Sequence, residues 1–117
     1  MSIAIGEDHL ALRETARRFT ADRCPRAVAR AAVDAEAESW PPFWADLAEL
    51  GWLGLAVAEA DGGEGYGYAE LAVVLEELGR ALAPGPMLPT VWAAAAIGDG
   101  ARGGSAPGLL RDLASGR

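Results

Sequence analysis

Cysteine and histidine occur once each in this chain of 117 residues, and lysine does not occur at all. A single thiol, Cys24, rules out an internal disulfide, and one cysteine with one histidine, His9, cannot supply a Cys/His zinc site. All 10 cationic residues are arginines, against 17 acids, for a net charge of −7. Along the sequence they are scattered from Arg13 to Arg117 and form no basic stripe, which argues against a nucleic-acid partner. Long apolar runs are missing as well. The longest, residues 91–97, falls far short of the roughly 20 residues a membrane helix needs. No basic segment followed by an apolar stretch opens the chain, so no signal peptide is read and the expected compartment is cytoplasmic.

What is present is alanine, glycine and leucine, with hydrophobic residues making up 51%. That is enough for one apolar core and too short a chain for two domains of ordinary size. The apolar residues recur with helical spacing. Leu12, Ala16 and Phe19 mark a first helix over residues 7–21, with Glu7 and Asp8 at the positive end of its dipole. Pro25 suits the start of a second helix carrying Val28, Ala31 and Ala32, which fades over residues 34–39. After the Trp40-Pro41-Pro42 break, Phe43, Leu47 and Leu50 give a third apolar face, which Gly51 ends as a left-handed cap. Residues 52–57 read as a buried extended connector and residues 61–65 as a glycine turn.

The strongest period follows in residues 68–82, through Leu71, Val74, Leu75, Leu78 and Leu82. Pro84, Gly85 and Pro86 stop it. Pro89 then opens an alanine-rich helix to Ile97, uncharged and therefore expected to be covered by protein. Residues 98–104 read as a loop, and Ser105 as the cap of a last helix bearing Leu109, Leu110 and Leu113. No stretch alternates as a strand does. The expected fold is all-α, a helical bundle of about six helices.

Several patterns imitate active sites. Gly63, Gly65 and Gly67 lack the spacing of a dinucleotide loop and follow no strand. The segment from Gly103 to Pro107 lacks the last glycine of a nucleophile elbow, and no second histidine exists to act as base. Glu76 and Glu77 are adjacent, so on a helix they point about 100° apart; one should face solvent and the other pair with an arginine. Cys24 reads as a small apolar residue in a helix–helix turn and His9 as a solvated surface residue. No catalytic, cofactor-binding or metal-binding residue is assigned.

The segment FWADLAELGWLGLAVAEADGGEGYGYAELAVVLEELGR, residues 43–80, resembles the acyl-CoA dehydrogenase family. It has that family's short amphipathic helix, the "ELGWLGL" stretch, the Gly-Gly-x-Gly turn and the helix ending "EELGR". Leu12 through Phe19 resembles the family's first helix, and Leu109 through Gly116 the segment leading into its flavin-binding β-domain. Ala58 departs from the proline often found before the acidic turn.

The resemblance implies that residues 1–117 form the N-terminal helical domain of an FAD-dependent enzyme that oxidises an acyl-CoA thioester between its α and β carbons. The middle β-domain and the C-terminal helical domain, which carry most of the FAD site and the catalytic glutamate, would then lie outside this sequence. It further implies electron-transfer flavoprotein as redox partner and a homo- or hetero-oligomer. For this chain it implies a wall of the acyl-chain cavity made by Met87, Leu88, Thr90, Val91 and Ala94, residues equally suited to ordinary core and helix-start positions. Other readings are a non-catalytic helical assembly subunit and a related flavoprotein such as an acyl-CoA oxidase.

Overall fold

A computed structural model describes residues 5–100 and 107–117. The described residues form six α-helices and one 3₁₀ turn, with no strand among them. They pack into a slab of 43 × 36 × 19 Å. Helix α1 spans Glu7–Arg23, α2 Arg26–Asp34, α3 Trp44–Glu49, α4 Tyr68–Arg80, α5 Met87–Gly100 and α6 Pro107–Ser115; the 3₁₀ turn is Glu59–Asp61.

The core is assembled where the helical periods converge. Ala16 is fully buried, so the α1 backbone can approach α4, where Val74 is buried to the same degree. Phe43, Leu47, Trp52, Leu53 and Leu55 fill the space beneath. The Phe19 ring meets Phe43 edge-on at 6.1 Å and Trp52 at 5.1 Å, the arrangement that aromatic quadrupoles favour. A second, smaller cluster of Val57, Ala94 and Leu110, with Ile97 and Leu113 beside it, joins α5 to α6.

Four expectations from the sequence need correction. Helix α4 stops at Arg80, and Leu82 adopts φ 55° and lies 67% exposed; the period in the letters outlives the helix because Pro84 and Gly85 turn the chain away. Leu50 leaves the third apolar face at its helix end and is 45% exposed, whereas Trp44 is buried. Helix α2 has no buried residue, and of its expected face only Val28 packs on the core. Residues 52–57 are buried but not extended. They fold into consecutive turns, closed by the amides of Val57 and Glu64 on the Gly54 carbonyl.

Gly51 takes φ 78°, the left-handed cap expected of it. Helix α5 begins two residues before Pro89, within whose first turn a missing N–H does no harm, and continues to Gly100. The rest of the expected 98–104 loop and the Ser105 cap lie outside the described residues.

Candidate functional site

The seam between α1 and α4 holds the most unusual charge in the molecule. Glu77 projects from α4 into the interface and is only 3% exposed. Arg17 donates its Nε–H to both carboxylate oxygens at 3.3 Å. The Nε atoms of Arg13 and Arg80 lie 3.9 Å away on other sides. Glu76, one residue earlier, faces solvent and meets Arg13 at 3.7 Å. The pair thus divides as the helix geometry requires, and folding gathers three of the scattered arginines around one carboxylate. The arrangement neutralises a buried charge; it offers no free base and no room for a substrate.

Cys24 is buried after α1, and desolvation pushes its thiol up to about 11, so it is an inert packing group. His9 corrects the sequence reading: it is no free surface residue. Its Nδ1 accepts the Gly6 N–H at 3.1 Å, and its Nε2 lies 3.4 Å from Glu70 Oε1. No cluster of His, Cys, Asp and Glu that could hold a metal occurs among the described residues. No helix of them is long and apolar enough to cross a membrane.

At the glycine turn the chain packs closely on itself. A Cβ on Gly63 would stand 2.2 Å from the Val57 carbonyl oxygen, and one on Gly54 would stand 2.7 Å from the Ala114 Cβ. The left-handed residues of the turn are Gly62 and Gly65, at φ 89° and 73°. Gly63 is therefore required for close approach and not for its φ, a distinction that spacing in the sequence does not reveal.

The five residues singled out all lie on α5 and divide between its faces. Met87, Val91 and Ala94 turn inward and are buried. The space between Val91, Ala94 and the core beneath is about 10 Å³, room for one water at most and not for an acyl chain. Leu88 faces outward at 41% exposure, and one turn further Trp92, which the sequence reading left out, is 65% exposed. Thr90 is half-buried, its hydroxyl donating to the Pro86 carbonyl at 2.6 Å. An open groove of about 680 Å³ borders the start of this helix, lined by Trp40, Pro84, Pro86 and Pro89 among others. The helix expected to be covered by protein is thus covered on one side only in this chain.

The described residues thus form a helical slab whose glycine turn packs on its own backbone and whose α5 carries no charge between residues 87 and 98. The family model for "Acyl-CoA dehydrogenase, N-terminal domain" matches residues 6–107, and the chain belongs to that family. It is 34% identical, over 99% of its length, to the acyl-CoA dehydrogenase FadE34 of Mycobacterium tuberculosis. It is 38% identical, over 80% of its length, to the acyl-CoA dehydrogenase IpdE2 of Mycolicibacterium smegmatis. A solved chain of the Tcur3481-Tcur3483 steroid ACAD superposes with a TM-score of 0.81, at 37% identity over 97% of this chain. The chain spans 16% and 30% of the two curated relatives and 31% of the solved chain.

Proposed function

We propose that this chain works as the N-terminal helical domain of a cytoplasmic, FAD-dependent acyl-CoA dehydrogenase whose substrate is a bulky, steroid-like acyl thioester. FAD would supply the hydride acceptor from elsewhere in the complete enzyme, and electron-transfer flavoprotein would reoxidise it. The naming of two gene products in the related steroid enzyme supports a hetero-oligomer. Within the domain, the outward side of α5 forms part of the acyl cavity. Leu88 and Trp92 present its surface, Thr90 lies at the far edge of the buried face, about 200° around the helix from Leu88, and Met87, Val91 and Ala94 hold the helix in position from behind. The observation that carries this reading is the exposure of Leu88 and Trp92 on a helix with no charge from residue 87 to 98, since a helix meant for water has a polar side.

The test is a series of kcat/KM values for acyl-CoA thioesters of increasing bulk, in the full-length enzyme carrying this domain. Leu88→Ala should change the preference between bulky and short thioesters severalfold. Ala94→Phe, which places a ring against Val57 and Leu110, should lower thermal stability and depress all substrates alike. A uniform effect of Leu88→Ala across the series would remove α5 from the substrate wall.

A further inference from the structure

Helices α1 and α4 both begin at a glycine, which has no side chain to receive the free N–H groups of the first turn. In each the third helical residue reaches back instead. His9 Nδ1 accepts the Gly6 N–H at 3.1 Å, and Glu70 Oε2 accepts the Gly67 N–H at 3.2 Å. The remaining polar atoms of the two side chains, His9 Nε2 and Glu70 Oε1, face each other at 3.4 Å. The result is one continuous chain of contacts from the start of α1 to the start of α4, with the imidazole in its middle.

This geometry permits only one neutral form of the ring. Nδ1 must keep its lone pair for Gly6, so the proton sits on Nε2 and points at Glu70. Protonation places a second N–H at Nδ1, opposite another donor, and the Gly6 amide loses its acceptor. The same event sets a full positive charge beside the Glu70 carboxylate. The other charged groups nearby in sequence are Glu7 and Asp8 in the same first turn, and Arg13 one turn on, which is committed to Glu76 and Glu77. We infer that His9 is a pH-sensitive link between the starts of α1 and α4. In its neutral form it caps α1; once protonated it releases Gly6 and binds Glu70 more strongly.

The experiment uses the whole chain, with ring-nitrogen NMR and amide exchange followed from roughly pH 5 to 8, where an imidazole titrates. Neutral His9 should show the Nε2–H tautomer. The protection factor of Gly6 should fall severalfold as the ring titrates, while amides in the middle of α4 keep theirs. His9→Gln, whose amide oxygen can still accept from Gly6 but does not titrate, should hold Gly6 protection flat across the range. Glu70→Gln, which keeps an oxygen for Gly67 but removes the charge, should move the His9 midpoint to lower pH. An Nδ1–H tautomer, or Gly6 protection that ignores the titration, would overturn the inference.

Discussion

Where α1 meets α4, a buried carboxylate is ringed by three guanidinium groups and both helix starts are tied through His9 and Glu70. Where α5 meets α6, the contact is an apolar cluster of Val57, Ala94 and Leu110, and α6 is further held by Arg111, which donates to the Ala60 carbonyl at 3.1 Å. The first seam fixes register, because a buried charge that slides by one turn loses its partners. Apart from that hydrogen bond the second gains from apolar area, and it leaves Leu88, Trp92 and Leu109 on the surface. The two seams thus differ in kind: charge is gathered inside the first, while α5 in the second carries no charge from residue 87 to 98 on either side.

The sharpest way to break this contrast is to look for chemistry in the chain alone. With added FAD, a panel of acyl-CoA thioesters and an artificial electron acceptor, the purified domain should show no turnover. Any activity that survives purification would place a reaction centre in a molecule in which none is found among the described residues.

Next in size is the glycine turn packed against Val57. Gly63→Val should destabilise the fold by about 3 kcal/mol, because a side chain there collides with the Val57 carbonyl and overpacking of that kind is at the upper end of its usual range. Glu64→Ala, at an exposed neighbour, should stay within about 0.5 kcal/mol. Equal melting shifts would mean that the turn can open without loss.

Removing the Glu77 carboxylate should cost about 2–3 kcal/mol. That is below the figure for a fully buried pair, because Arg17 and Arg80 are about half exposed and water can take up part of their charge. Glu76→Ala should cost no more than about 0.5 kcal/mol. Urea melts of the two variants measure the difference. If Glu77→Ala is as mild as Glu76→Ala, the seam is held by its apolar contacts and charge has no part in register.

The smallest expected effect is on acid stability. The Glu70 carboxyl lies below its ordinary value of 4.5, first through its own backbone amide and then, against an opposing desolvation, through the Gly67 amide and His9. A depressed folded-state pKa contributes stability above the unfolded value and loses it as pH falls through the folded one. Glu70→Gln should therefore be slightly less stable than the parent at neutral pH and converge with it below pH 4.5. Curves that stay parallel through that range would separate the carboxylate from α4 stability.

Most of the architecture could be read from the letters, because the 3.6-residue period of Leu71, Val74 and Leu78 and the cap at Gly51 are local signals. Leu50 and Leu82 misled for the same reason: each continues a period beyond the point where neighbouring residues end the helix. The candidate site was less legible. Resemblance pointed to α5, but the sequence does not say which side of that helix faces the core, so the exposed Trp92 is not among the residues it singles out. His9 was misread because its partners lie 3 residues away in the α1 cap and 61 away on α4, and only the second requires the fold.

The pairing of Arg17 with Glu77 joins residues 60 apart, and the indole of Trp44 donates to the Gly116 carbonyl across 72. In kinetic terms, this all-helical protein depends on contacts that close late. Loops of that length must form before either contact stabilises anything, which moves the chain away from the speed of simple up-and-down bundles. During synthesis α1 emerges before α4, and its polar seam has no counterpart until α4 has been made. Until then Phe19 can already meet Phe43 and Trp52, but Arg13 and Arg17 lack Glu76 and Glu77, which makes the interval between the two helices a period open to misassembly.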